Sequence, residues 1–333
     1  MFRILAVAFF SLFLAAGTAS AATAICYNCP PEWAGWGNQL KLIRQETGIT
    51  VPLDNKNSGQ SVSQLIAERN NPVADVSYLG ISFGINAKKA GVLQPYKGPG
   101  WESVPENLRD PEGYWTTIHF GTFGFMVNVD ALGGRPVPQS WKDLLDPQYR
   151  GMVGFLDPPS AFVGYVGAVA ANKALGGDLD NFDPAIKYFQ ELHKNAPIVP
   201  KQTSYARVLS GEIPILMDYD FNAYRAKHVD KANVAFIIPQ EGSIMVPYVI
   251  TLVKGAPQEA NGKRVIDFIL SEKGQALWAE NFLRPVMPGA MTAETAKLFL
   301  PDSEYARAGS VDYVRMAEVQ QAFTERYLKE VSK

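Results

Sequence analysis

Cysteine and histidine are nearly absent: a chain of 333 residues holds two cysteines, Cys26 and Cys29, and three histidines, His119, His193 and His228. That scarcity leaves few ligands for a resident metal, and none is expected. Walker-type, dinucleotide-binding and HExxH motifs are also missing, so nucleotide-driven, cofactor-dependent and zinc-hydrolase chemistry have no sequence support. No internal repeat, low-complexity tract or long run of one charge is present, which excludes solenoids and polyionic tails. With 31 basic and 33 acidic residues, the chain has no basic excess to attract nucleic acid or an anionic membrane. Beyond the first 21 residues no apolar run reaches the ~20 residues of a bilayer span.

What is present begins with those 21 residues. Arg3, an apolar stretch over 4–16 and the small triplet Ala19, Ser20 and Ala21 have the three-part order of a secretory signal. Cleavage is expected near Ala21, giving a periplasmic protein with a net charge of about −3 once Arg3 is removed. Cys26 does not directly follow the cleavage site, so a lipid anchor is not expected. The remaining ~310 residues exceed what one core supports comfortably, and two domains are expected. A hydrophobic content of 47% with 11% aromatics is ample for both and excludes a disordered chain. In an exported protein Cys26 and Cys29 read as one short-loop disulfide, with a thioredoxin-like pair, a metal site and free thiols as alternatives.

Short apolar runs alternate with amphipathic helical stretches, the pattern of an α/β protein with largely parallel strands. Strands are predicted at 22–27, 49–53, 74–79, 120–128, 152–156, 213–219, 235–239 and 245–253. Helices are predicted at 31–47, from 58, and at 85–90, 162–175, 184–195, 260–269, 273–281 and 311–327. The long extended segments 120–128 and 245–253 bracket the middle of the chain. A chain that leaves one lobe and later returns to it would produce that arrangement.

Gly80-Ile81-Ser82-Phe83-Gly84 matches a nucleophile elbow, and Ser82, Asp218 and His228 supply a triad in the required order. No glycine-rich oxyanion loop precedes it, so a secreted serine hydrolase is the weaker reading. Binding signals converge better. Ser58, Gly59, Gln60 and Ser61 open a helix whose free N–H groups suit an anion. Ser160 and Ala161 lead into a second such helix start. Asp218, Tyr219 and Asp220 follow an apolar strand, where open α/β sheets bind ligands, and two acids beside an aromatic suit an ammonium group. Tyr27 with its neighbour Asn28, and Tyr78 and Tyr205, also fall near strand ends or turns. Each of these has an ordinary alternative, as a helix cap or a core aromatic.

Several segments resemble the type II periplasmic binding proteins, in the cluster that carries iron(III), polyamines, thiamine and 2-aminoethylphosphonate. They are Glu68-Arg69-Asn70-Asn71-Pro72-Val73-Ala74-Asp75-Val76, Trp141-Lys142-Asp143-Leu144-Leu145-Asp146-Pro147, Pro247-Tyr248-Val249-Ile250 and Val253-Lys254-Gly255-Ala256-Pro257. Asp267-Phe268-Ile269-Leu270-Ser271 and Gln275 continue the pattern, closest to the aminoethylphosphonate branch. The resemblance implies a two-lobe flytrap with two hinge-crossing strands, lobe 1 over 22–123 and 247–333 and lobe 2 over 124–246. It further implies a monomeric, non-enzymatic carrier without cofactor that delivers a small-molecule solute to an ABC importer permease. Iron carriers of this cluster place adjacent tyrosines where this chain has Asp218, Tyr219 and Asp220, which leaves ferric ion the alternative. Residues 160–164 replace the usual Ser/Thr/Gly-rich loop with a more apolar wall, which removes hydroxyls expected to hold a phosphonate. The favoured solute is therefore an amine: a zwitterion reaching from residues 58–61 to Asp218 and Asp220, or a polyamine.

Overall fold

The computed structural model describes residues 22–200 and 204–332; the expected signal over 1–21 lies outside them. In the first lobe, strand β1 (Cys26–Tyr27) is followed by helix α1 (Trp36–Thr47), α2 (Ser58–Ala67), β2 (Val76–Gly80), α3 (Ile81–Lys89) and β3 (Leu93–Gln94). The long strand β4 (Thr116–Asn128) leads into the second lobe, built from β5 (Val153–Phe155), α4 (Phe162–Ala174), α5 (Asp183–Lys194), α6 (Tyr205–Leu209), β6 (Ile215–Tyr219), α7 (Asp220–His228) and β7 (Val234–Ile237). Strand β8 (Ser243–Val253) returns to α8 (Glu259–Ile269), α9 (Glu272–Glu280), β9 (Arg284–Pro285), α10 (Ala293–Ala296), α11 (Asp302–Tyr305), β10 (Ala308–Gly309) and α12 (Tyr313–Glu330). Among the described residues no helix is long and apolar enough to cross a membrane.

The strands run in the order β1-β2-β8-β4-β6-β5, with β3 and β10 paired to β8, and β7 and β9 paired to β4. Strands β1 and β2 are parallel, as are β5 and β6, whereas β8 and β4 run antiparallel to their main neighbours. The sheet is therefore mixed rather than mostly parallel, because the two long connecting strands are part of it. Strand β4 changes partner along its length: Thr116 to Thr122 face β8, and Phe123 to Val127 face β6. One continuous strand thus belongs to both lobes.

Several boundaries differ from the sequence pattern for local reasons. Helix α1 starts at Trp36 rather than near residue 31, because Ala34 and Gly35 take left-handed φ values of 52° and 68° and close a turn. Gly48, with φ 72°, ends it as expected. Residues 49–53 make only an isolated bridge, Thr23 to Thr50. Helix α3 follows β2 without a loop, and α7 follows β6 in the same way.

Two groups of rings stand out within one continuous hydrophobic core. In lobe 1 the buried rings of Trp36 and Trp278 meet at 5.3 Å, and His119 lies 5.0 Å from Trp278. In lobe 2 Trp141 packs edge-on to Phe125 at 5.1 Å and to Tyr188 at 5.8 Å. Helix α12, in the lobe 1 span by chain position, also packs on lobe 2. Phe323 meets Phe182 at 4.8 Å, Tyr327 meets Phe189 at 5.7 Å, and Tyr165 donates to the Met316 carbonyl at 2.6 Å.

Candidate functional site

The carboxyl ends of the parallel strands β1, β2 and β6 point towards one another between the lobes, and most of the residues singled out in the sequence lie there. Cys26 and Cys29 are joined by a disulfide that spans the end of β1. Asn28 sits inside that loop at φ 63°; its backbone N–H donates to Asp54 at 3.0 Å and its side chain to the Tyr78 carbonyl at 2.7 Å. The following turn carries Trp33, half-buried, with its ring 5.3 Å from Tyr248 and 5.2 Å from Phe221 of lobe 2.

Helix α2 starts beside this turn. Its cap is Asn57, which the sequence pattern placed in the preceding turn: Asn57 Oδ1 accepts from the Gln60 N–H and Gln60 Oε1 accepts from the Asn57 N–H, a closed capping box. Gln60 is thus occupied by the cap. Ser58 Oγ accepts from the Gly80 N–H at 3.1 Å and faces Asn28 Nδ2 at 3.4 Å, so it ties the start of α2 to the start of α3. Gly59 lies 3.5 Å from the Phe83 ring, measured from an added Cβ. Ser61 Oγ is buried and has no protein partner. The first turn of α3 has no side-chain cap.

On the opposite wall, Ser160 Oγ donates to Asp157 at 2.7 Å, and Ala161 is the uncapped residue before α4. The first residue of α4, Phe162, crosses to lobe 1, with its ring 5.7 Å from Phe83 and 5.8 Å from Tyr248. Tyr78 donates or accepts at His119 Nε2 across 2.7 Å, Tyr248 donates to the Tyr219 hydroxyl at 3.3 Å, and Tyr78 stacks on Tyr248 at 5.1 Å. Gly121 in β4 makes room for this packing: a Cβ there would sit 2.7 Å from the Tyr219 ring.

The two acids occupy different surroundings. Asp218 is buried at the end of β6; one oxygen accepts from the Tyr219 N–H and the other from Asn222 Nδ2, both at 2.8 Å. Burial pushes its carboxyl up to about 6, partly offset by those two hydrogen bonds. Among the described residues no basic side chain offsets the charge. Asp220, also raised to about 6 by burial, accepts from Thr122 and Phe221 N–H groups and from the Tyr305 hydroxyl, and the charge of Arg284 acts on it. Asp220 is thereby committed to joining β4, α7 and α11. His119 is driven down to about 3 by burial, so its imidazole is neutral.

Two other expected residues face away from this cluster. The Tyr27 hydroxyl donates to Glu68 at 2.8 Å and accepts from Gln64, with Lys56 over its ring. Tyr205 donates to Asp230. The suggested triad is not assembled: Ser82 donates to Gln320, Asp218 pairs with Asn222, and His228 bonds the Leu298 carbonyl. Trp33, Phe162, Phe221 and Tyr248 are rings that meet between the lobes and that residue-type reasoning did not single out. Only the run of aromatics flanking the predicted strand ends hinted at them.

Residues 71–316 match the family described as bacterial extracellular solute-binding protein. The chain is 28% identical over 249 residues to a Salmonella paratyphi A protein named "Putative 2-aminoethylphosphonate-binding periplasmic protein", covering 73% of this chain and 71% of that one. It is 24% identical over 269 residues to "Iron uptake protein A1" of Synechocystis, covering 73% and 70%. Its fold is similar to that of the periplasmic binding protein AfuA of Actinobacillus pleuropneumoniae with fructose-6-phosphate bound, at TM-score 0.80 and 24% identity, covering 94% of this chain and 99% of that one. A periplasmic thiamin binding protein aligns at TM-score 0.77 and 20% identity, covering 95% and 98%.

Proposed function

This chain belongs to the bacterial extracellular solute-binding protein family, and from that premise we propose that its aromatic-walled cleft captures a small amine-bearing solute. As the periplasmic binding component of an ABC importer it carries its solute and makes or breaks no bond. The observation behind the amine is Asp218, a buried carboxylate with no cation beside it among the described residues. A buried charge without a partner is costly, and a cationic solute would supply the missing partner.

The anionic end of a zwitterion would lie at the paired starts of α2 and α3, where the Ser61 hydroxyl and the uncapped first turn of α3 offer donors. Lobe 2 offers the carboxylate of Asp157 and the ring of Phe162 at the corresponding helix start, which disfavours an anion there. The name of the Salmonella relative specifies a solute with both ends. A polyamine would use only the acidic and aromatic wall. Asp218 is the primary contact; Asp220 acts through the frame around it, and Tyr27 and Tyr205 lie outside it.

The mechanism is closure about β4 and β8, with lobe 1 over 22–123 and 247–333 and lobe 2 over 124–246. A solute touching both walls stabilises the closed form, which a monomer presents to the permease after a signal ending near Ala21 is removed. The test is a melting-temperature screen of aminophosphonates, polyamines, simple amines, phosphate esters and ferric ion, repeated with Asp218→Asn. Upward shifts by amines that disappear in the variant support the reading. Shifts only by anions or ferric ion, or amine shifts that persist in the variant, overturn it.

A further inference from the structure

Resting on the amine reading, we infer that the cleft selects an N-methylated ammonium group, tertiary or quaternary, over a primary ammonium, gripped by Trp33, Tyr248, Phe162 and Phe221 beside Asp218. The reason is the geometry of the ring contacts that cross from one wall to the other. Trp33 meets Phe221 at 5.2 Å with the planes 83° apart, and Phe162 meets Tyr248 at 5.8 Å with the planes 82° apart. Trp33 and Tyr248, on the lobe 1 side, meet at 5.3 Å and 63°.

In each edge-to-face pair the positively polarised C–H edge of one ring lies on the negative face of the other. Ring faces arranged to receive C–H edges are equally suited to a methylated ammonium, whose charge is spread over its C–H surface. A primary ammonium has a different requirement, namely three N–H donors that each need an acceptor. Among the described residues the nearby acceptors are partly engaged. Each Asp218 oxygen already receives a hydrogen bond, from Tyr219 or from Asn222. The Tyr78 hydroxyl is engaged by His119, and that of Tyr248 is directed at Tyr219. With one acceptor site of each oxygen already used, Asp218 has at most two left for the three donors of a primary ammonium, whereas its charge is available in full. A group with a diffuse charge and no donors meets that condition at the least desolvation cost.

The turn that carries Trp33 is built to hold the ring in place. The Cys26–Cys29 disulfide closes its base, and Asn28 and Ala34 hold left-handed backbone at φ 63° and 52°. On the far side Arg225 of α7 donates to the Glu32 carbonyl, next to Trp33. The ring is thus presented to lobe 2 from a turn anchored at both ends.

The experiment is calorimetric titration of the whole mature protein with two matched pairs: 2-aminoethylphosphonate against its N,N,N-trimethyl derivative, and ethanolamine against choline. The methylated member of at least one pair is expected to bind on the order of tenfold tighter. Trp33→Leu should abolish that preference, while Trp33→Phe, which keeps an aromatic face, should keep most of it; melting curves of both variants check folding. Equal or tighter binding of the primary amines overturns the inference and leaves the amine reading standing. If neither member of either pair binds, the inference and the amine reading fail together.

Discussion

The Phe162 ring lies so close to Gly80 that a Cβ at position 80 would sit 2.1 Å from it, well inside van der Waals contact. Phe162 opens α4 in lobe 2 and Gly80 ends β2 in lobe 1, so the contact exists only when the lobes are together. Gly80→Ala should therefore hold the lobes apart without damaging either core. Small-angle scattering should report a larger particle that no longer contracts with a solute that contracts the wild type. Phe162→Ala added to Gly80→Ala should return the unliganded particle towards the wild-type size, because the added methyl then has space.

Asp218 and its rise to about 6 give a pH dependence with a definite sign. Folded Asp218 holds its proton more tightly than the unfolded chain does, so its contribution to stability is full below about 4 and is lost as pH rises through about 6. For a shift of about two units the loss is on the order of 3 kcal/mol. Urea midpoints at pH 4.5 and 7.5 should show a smaller fall with rising pH in Asp218→Asn than in the wild type. Binding of a cationic solute should follow the opposite trend and strengthen through pH 6 as Asp218 ionises.

His119 acts in the other direction. Burial holds it neutral until about pH 3, whereas the unfolded histidine takes up a proton near 6.5. Its contribution is present above 6.5 and is lost as pH falls towards 3, on the order of 5 kcal/mol in full. His119→Gln should flatten the acid limb of a stability-against-pH curve, at the cost of poorer packing against Trp278 at neutral pH.

The Cys26–Cys29 bridge closes a very short loop, so chain entropy predicts a modest stability effect, about 2 kcal/mol. Its larger effect should be on the Trp33 turn. The double substitution Cys26→Ser with Cys29→Ser should lower the urea midpoint slightly, and it should increase acrylamide quenching of tryptophan fluorescence. A Trp33→Phe background, lacking that ring, should show no such increase.

Removing a ring from the lobe 1 core should cost far more. Trp278→Ala leaves a cavity beside Trp36 and His119, and a loss of about 3–5 kcal/mol is expected from chemical denaturation.

Much of this molecule was legible from local pattern. Helix α4 was predicted within one residue at its C-terminal end, and α5 and α8 within one residue at each end, because their apolar spacing and boundaries are properties of short segments. The segments 120–128 and 245–253 read as long strands for the same reason, although β4 starts four residues earlier. The turn over 30–35 was hidden, since left-handed backbone at Ala34 is imposed by its surroundings rather than by alanine.

The sequence by itself determined the class: alternating strand and helix periodicity, with two long extended segments bracketing the middle of the chain. It also marked Asp218 and the starts of α2 and α4, because helix starts and strand ends have residue signatures. Only the tertiary structure decided how those residues are used. Asp218 and Asp220 are two positions apart, yet among the described residues one has no cation beside it while the other is held by Tyr305 and faces the charge of Arg284, more than 60 residues further along the chain. Trp33 and Phe221 meet across the cleft although nearly 190 residues separate them. Partnership between distant residues depends on how β4 and β8 bring the two lobes together, and no local pattern encodes that distance.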